Sequence, residues 1–338
     1  HADGEQGVVW VRGHTIGDLV ANHGYEGTIA LLWEGFAGAG LTRAGVARQL
    51  GAGRTLAFSR LDEWLPAASR RPLIEGLRMA LAALPDDSTP TTIAAALPVA
   101  IAALLRSRDR KPLLPPDPAL PTAADLLRMV NGAAVEERFA TALDSYLTTV
   151  IDNGLGTSTF AARVIISTRA SLASAVVGAY GAFTGALHGG APGLALDMLD
   201  DISASGDIDG WLDRKLAAGE RLMGFGHRVF RVRDPRADML RAALQRLDPH
   251  SKRLAFAQDV ERRALAALQR RKPGRRLAAN IEMDAALLLD AIGLPRDAFT
   301  PAFAIARTPA WIAHALEQQR SGRMIRPSST YVGPLPAR

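Results

Sequence analysis

Two short stretches hold the residues whose types and spacing suit chemistry. Residues 222–236 read LMGFGHRVFRVRDPR. The Gly-Phe-Gly turn from Gly224 to Gly226 lets the backbone approach a partner closely. His227 follows, then arginines at 228, 231, 233 and 236. Asp234 and Pro235 mark a helix start, the first as a cap and the second at the first helical position. A titratable ring thus stands on a glycine turn, with guanidinium groups leading into a helix N-terminus. That arrangement suits a small polyanion bearing carboxylate or phosphate. Residues 185–192 read GALHGGAP. Here His188 is followed by two glycines able to end a helix in the left-handed conformation. One histidine beside glycines is commonly structural; two such corners, each beside a helix end, are hard to explain by packing.

Together, GALHGGAP and GFGHRVFRVRDPR resemble the citrate synthase family, including the 2-methylcitrate synthases. Four further stretches agree in the family's order: VRGHTIGDL at 11–19, STFAARV at 158–164, FTPAFAIARTPAWIAHALEQ at 299–318 and RPSSTYVGP at 326–334. The resemblance spans nearly the whole chain. It implies condensation of an acyl thioester with a 2-oxo acid, as when acetyl-CoA, oxaloacetate and water give citrate and CoA. Such chemistry needs a carboxylate to remove a weakly acidic proton, a neutral donor for the enol oxygen, and a donor that polarises the ketone. It also needs arginines for the substrate carboxylates. By resemblance, His188 donates to the thioester oxygen and His227 binds the keto group. Arg236, Arg307 and Arg326 hold carboxylates, the last reaching across from the other subunit of a homodimer. Coenzyme A falls to the backbone of Leu222, Met223, Gly224, Phe225 and Gly226 and to Arg231, with Arg275 as a further phosphate contact. The CoA thioester is then a co-substrate, no cofactor is bound permanently, and no metal ligands are assigned. Arg228 and Arg233 take no role.

The chain departs from the family's pattern at the places that matter for turnover. The base is normally the aspartate of Asn-Val-Asp; here Asn280-Ile281-Glu282 offers a glutamate. Its pKa is intrinsically similar. The extra methylene moves the carboxylate by more than about 1 Å unless the backbone compensates, and such misplacement can cost about a hundredfold. Asp284 is no substitute, since positions two apart on a helix face different ways. Asn153 replaces a substrate-binding histidine, and it can donate a hydrogen bond but carry no charge. Gly156 and Pro192 each stand where an asparagine is usual. Two readings follow: an active condensing enzyme, either citrate synthase or a relative such as 2-methylcitrate synthase, or a catalytically weakened paralogue that binds acyl-CoA or a dicarboxylate as a sensor.

The positioning elements are helical. Ala and Leu dominate and alternating strand patterns are nearly absent, so the fold class is mainly α. Residues 7–12 read as a strand, part of a short N-terminal β hairpin by resemblance. Residues 14–32 read as helix, with His14 and His23 as surface or local structural groups. From 41 to 106, helical segments are separated at Gly51 to Gly53, Pro66, Pro85 and Pro90. The five prolines of 111–121 make an extended connector. Long helices follow at 123–130, 135–153 and 160–187, the last rich in small residues that allow close packing. By resemblance, 1–188 and 301–338 form a large helical domain and 189–300 a smaller one, with the active site between them.

The 338 residues are 48% hydrophobic, enough for a full core in one large or two smaller domains. Without cysteine there are no disulfides and no thiolate chemistry. The apolar run 93–105 contains Pro98 and is shorter than the roughly 20 residues a spanning helix needs. No secretory signal pattern opens the sequence, so a cytoplasmic protein with no membrane contact is expected. The formal charge of +6 is a mild excess, and a nucleic-acid binder would be expected to cluster it. The dense run 270–276 reads as a solvated loop or as a phosphate contact.

Overall fold

A computed structural model describes residues 1–185, 188–189, 191–226, 230, 234–271 and 278–334. Its helices begin where capping residues precede apolar periodicity. Thr42, Thr89, Ser171, Asp207 and Asp234 each accept a backbone N–H of the turn that follows. They open Arg43–Phe58, Pro90–Arg108, Leu172–Phe183, Ile208–Ala217 and Pro235–Leu247.

The N-terminus is a three-stranded antiparallel meander rather than a hairpin, with β1 (Ala2–Asp3), β2 (Val8–Val11) and β3 (His14–Thr15) in that order. His14 therefore pairs with Val11 instead of opening a helix. Three short pieces follow: Ile16–Asp18, the π-helical turn Leu19–His23 and Gly24–Trp33.

Gly51 and Gly53 do not break the chain; both lie inside Arg43–Phe58. Their role is close approach, since a Cβ at 51 would sit 2.2 Å from the Pro118 carbonyl and one at 53 would sit 2.8 Å from Ala95 Cβ. The connector 111–121 is extended and is held by buried Arg54, which donates to the carbonyls of Asp117 (3.3 Å) and Leu120 (2.6 Å) and to Asp125 Oδ2 (2.7 Å). The long helix expected at 160–187 is two, Thr157–Ser167 and Leu172–Phe183. Arg169 turns the chain with φ 65°, Ser171 caps the return, and the pair packs as a helical hairpin. At Gly178 an added Cβ would lie 2.0 Å from Ile165, so the small residues do permit close packing.

Pro90–Arg108 is long and apolar enough to cross a membrane, contrary to the sequence expectation, but 72% of its apolar window is buried inside the protein. It is a core helix, packed by Arg43–Phe58, Leu73–Ala82, Thr122–Asn131 and Phe299–Ser321. The helix Phe299–Ser321 also packs on Thr157–Ser167 and Leu172–Phe183, and so carries Arg307 and Trp311 to the corner that holds His188. Glu282–Ala291 packs on Pro235–Leu247 and on Ala191–Ser205, and Pro235–Leu247 in turn packs on Glu137–Thr149. These contacts bring the start of the Glu282 helix, the Arg236 helix and the end of the Glu137–Thr149 helix to one region.

Candidate active site

The His188 corner follows Leu172–Phe183. His188 N donates to Gly185 O (2.9 Å), and Gly189 N donates to Phe183 O (2.8 Å). Gly189 is needed for space rather than for a left-handed φ: a Cβ there would lie 2.7 Å from Phe183 O, and its φ is not positive. Gly190 lies outside the described residues. Thr300 Oγ1 ties the corner to the last long helix by donating to Gly189 O at 3.0 Å. The imidazole rests edge-on against Phe183. Its Nε2 is 2.9 Å from Ser158 Oγ, which also accepts Trp311 Nε1–H at 3.2 Å. Burial, with the Arg307 cation adding to it, pushes the ring's pKa down to about 4. His188 is therefore neutral at physiological pH.

The second glycine turn is pinned to residues 278–280. Gly226 N donates to Ala278 O and Asn280 N to Gly224 O, both at 2.9 Å, while Asn280 Nδ2 reaches Gly226 O at 3.2 Å. Gly224 and Gly226 have φ of 81° and 82°, a conformation that favours glycine. Leu222 and Phe225 are buried and Met223 is half-buried. Glu282 opens the next helix, and its Oε2 accepts Gly224 N–H at 3.0 Å. Burial raises the Glu282 pKa, against the opposing pull of Gly224 N–H, Asn280 and Arg221. Asp284 is elsewhere occupied, taking Arg241 Nε at 2.9 Å and a terminal nitrogen at 3.0 Å. His227, Arg228, Arg231, Arg233 and Arg275 lie outside the described residues.

The predicted arginines divide. Arg236 is buried and forked onto its own cap, with Nε 3.0 Å from Asp234 Oδ1 and a terminal nitrogen 2.7 Å from Oδ2. Arg307 is buried, with Nε on Val150 O at 3.1 Å and its guanidinium 5.0 Å from the Phe303 ring centroid. Burial and then repulsion from Arg236 bring its pKa down to about 10, against Asp152 and Tyr146, so it stays charged. Its cation therefore lies within electrostatic range of Arg236. Arg326 is exposed on the segment after Phe299–Ser321, which is anchored by Ile325 N donating to Ser167 Oγ (3.0 Å). Within this chain it does not join the other arginines.

Asp152 and Asn153 sit beside Arg307. Burial works to raise the Asp152 pKa, but His314, Arg307 and the Asn153 N–H outweigh it and hold the carboxylate below its ordinary range. Among the described residues, Tyr146 Oη, Thr149 Oγ1, Asp152 Oδ1, Asn153 Oδ1 and Thr159 Oγ1 are buried without hydrogen-bond partners. Buried polar atoms are nearly always satisfied, so each of these atoms calls for a polar partner such as water.

The family model for the citrate synthase C-terminal domain matches residues 1–328. The chain belongs to the citrate synthase family. A putative citrate synthase 2 of Mycobacterium bovis is 46% identical over 205 residues, 60% of this chain and 53% of that protein, so the match spans about half of that relative's length. Citrate synthase of Haloferax volcanii is 34% identical over 350 residues, covering 98% of this chain and 91% of the relative. A 2-methylcitrate synthase of Mycobacterium tuberculosis is 30% identical, covering 95% and 84%. The crystal structure of Thermotoga maritima citrate synthase superposes with TM-score 0.87 at 29% identity, over 100% of this chain and 93% of that one. The Thermoplasma acidophilum citrate synthase, solved as a ternary complex with carboxymethyl coenzyme A and oxaloacetate, gives the same TM-score at 22% identity and supports the fold.

Within this citrate synthase-family chain, the sequence reading left out Ser158, Trp311, Asp152 and His314. Ser158 and Trp311 were in view inside STFAARV and the 299–318 motif, but nothing in one dimension shows that they meet at a histidine 30 residues from the first. Asp152 and His314, with Oδ2 and Nε2 3.6 Å apart, pair across 162 positions. A surface cleft of about 390 Å³ lies away from this chemistry, lined by Arg138, Phe139, Leu244, Leu247, Arg253 and Asp290 among others.

Proposed function

We propose that this chain condenses a short acyl-CoA with a 2-oxo dicarboxylate, as citrate synthase does with acetyl-CoA and oxaloacetate. Glu282 takes a proton from the carbon next to the thioester. His188, neutral, donates a hydrogen bond to the thioester oxygen as it becomes an enol. The nucleophilic carbon then bonds to the keto carbon of the second substrate, whose oxygen His227 polarises and protonates. Water cleaves the resulting thioester, releasing CoA and the tricarboxylate. Arg236 and Arg307 hold substrate carboxylates, and Arg326 does so from the partner subunit of a homodimer. The backbone of 222–226, with Arg231 and Arg275, receives the CoA thioester, which is a co-substrate. The site lies between a larger domain (1–188 and 301–338) and a smaller one (189–300).

The observation that carries this reading is the state of His188. A donor to an enolate must keep its proton and present one fixed N–H. Ser158 Oγ already accepts the Trp311 N–H, so its own hydroxyl proton is available to His188 Nε2. That bond leaves the ring proton on Nδ1, a tautomer assigned by hydrogen-bond logic. The raised pKa of Glu282 matches a base that must hold a proton transiently.

Asn153 favours a second reading, a weakened paralogue that binds ligand without efficient turnover. Its Oδ1 is buried without a partner at the place of a substrate-binding histidine. Release of free CoA thiol, with acetyl- and propionyl-CoA against a panel of 2-oxo acids, separates the two. Turnover that Glu282→Gln lowers at least about a hundredfold, with oxaloacetate affinity within a few fold, supports the enzyme. Ligand binding with no thiol release from any pair supports the sensor.

A further inference from the structure

Three ligand-type side chains stand together where the N-terminal sheet meets the first helices. His14 is on β3, Asp18 ends Ile16–Asp18, and His23 ends the π-helical turn Leu19–His23. One donor atom from each lies within 4.8 Å of the other two. His14 Nδ1 contacts Asp18 Oδ2, and His23 Nε2 is 4.0 Å from the same oxygen. The two rings meet edge to face with centroids 4.8 Å apart. Asn22 Nδ2 donates to the other oxygen, Oδ1, at 2.7 Å and orients the carboxylate.

The backbone is what assembles this trio. His14 and Asp18 are four residues apart and face each other. His23 is five beyond Asp18, which on an α-helix would put it roughly 140° around the axis. A π turn, closing i to i+5, brings the fifth residue back over the first. Here the Gly24 N–H donates to Leu19 O and closes that turn. Gly24 has φ 62°, and a Cβ there would lie 2.9 Å from Asp144 Oδ2 and 3.1 Å from an Arg43 nitrogen. The turn that aims His23 at Asp18 is therefore built on a position where only glycine fits.

Two imidazoles and a carboxylate, without thiolates, favour late first-row divalent cations such as zinc over magnesium or calcium, which prefer oxygen ligands. The side chains of His14, Asp18 and His23 are 33%, 37% and 28% exposed, which leaves an entry path and an outward position for water. Ligands around tetrahedral zinc stand about 3.3–3.5 Å apart, so the widest separation must close by roughly 1.5 Å. Side-chain rotations at partly exposed positions supply that. We propose that His14, Asp18 and His23 form a binding site for a divalent cation of the zinc class, fastening β3 to the π turn.

The test titrates zinc ion alone into the full chain by calorimetry in a non-chelating buffer, with cobalt(II) absorbance as a second readout. One saturable site per chain is expected, with a cobalt spectrum typical of nitrogen and oxygen ligands. His14→Gln and His23→Gln should each weaken binding at least about tenfold, because even loss of an outer-sphere partner costs that much. His1→Ala and His250→Ala should leave it in place. Zinc should raise the melting temperature of the parent and of these two controls, but not of His23→Gln. Circular dichroism confirms that each variant is folded; if His14→Gln is not, Asp18→Asn takes its place. Absence of saturable zinc binding, or binding that survives both His14→Gln and His23→Gln, overturns the proposal.

Discussion

Ser158 Oγ stands 2.9 Å from His188 Nε2 and accepts the Trp311 indole N–H at 3.2 Å, so one hydroxyl links a fully buried tryptophan to the imidazole of the candidate site. On the proposed mechanism Ser158 is a positioning residue, because its hydroxyl would select which ring nitrogen keeps the proton. Ser158→Ala removes about one hydrogen bond of roughly 1–1.5 kcal/mol and should lower kcat about tenfold with little change in either KM. The acid limb of the pH profile should stay, since the proposed mechanism assigns it to Glu282 as the base, whose pKa burial raises above the usual glutamate range. Ser158→Thr, which keeps the hydroxyl, should recover most of the rate. Steady-state kinetics decide this, and an unchanged kcat in Ser158→Ala would end the argument.

Asn153 invites the reverse experiment. Its Oδ1 is buried without a partner, and the carboxylate of the preceding Asp152 feels the Arg307 cation. A charged donor there should hold a substrate carboxylate better than an amide, by about 1.5–3 kcal/mol where a hydrogen bond to a charged group is gained. Asn153→His should therefore tighten oxaloacetate binding about tenfold or more, read as Kd by calorimetry. No change in affinity would mean that this corner does not touch the keto acid.

Most of the helical architecture was legible in the sequence because Ala-Leu periodicity and Ser, Thr and Asp caps are local signals. The errors came from tertiary geometry. Gly51 and Gly53 look like punctuation, yet each is the point where another segment touches a continuing helix. The break at Arg169 was hidden because an arginine adopts the left-handed φ that sequence reading reserves for glycine. His14 and His23 read as bland because a π turn leaves no mark in helical spacing. At the site, the motif glycines advertised His188 and the 224–226 turn, whereas Ser158 and Trp311 became meaningful only once two distant helices had packed.

Asp144 should make stability depend on pH. Burial and then the neighbouring Glu26 carboxylate raise its pKa to about 6 from 3.8, against the Tyr25 N–H and Arg43. A raised folded-state pKa means that the protonated form is the better accommodated one. The stabilisation is complete below about pH 3.8 and is lost as pH rises through about 6. Asp144→Asn keeps an acceptor for Tyr25 N–H and never ionises. It should be more stable than the parent by about 1–3 kcal/mol at pH 8 and equal to it near pH 4, the shift being worth about 1.4 kcal/mol per unit. Denaturant melts at the two pH values measure this. A variant no more stable than the parent at pH 8 would show that Arg43 already neutralises the carboxylate.

The helix that begins at Glu282 is fixed two residues further on. Asp284 takes the Nε and one terminal nitrogen of Arg241, and that same terminal nitrogen lies 2.6 Å from Glu261. Breaking a buried ion pair from one side costs about 3–5 kcal/mol, because the charge left behind keeps its burial and loses its partner. Which side is removed should therefore matter. Asp284→Ala leaves Arg241 with Glu261, so the loss should fall at the low end, about 3 kcal/mol. Arg241→Met takes the shared cation from two buried carboxylates at once and should cost more, with part of the loss recovered at low pH as those acids protonate. Paired melts of the two variants at pH 7 and pH 5 read the order directly. If Arg241→Met proves the milder change, the arginine is tolerated here rather than required, and Asp284 must draw its stabilisation from elsewhere.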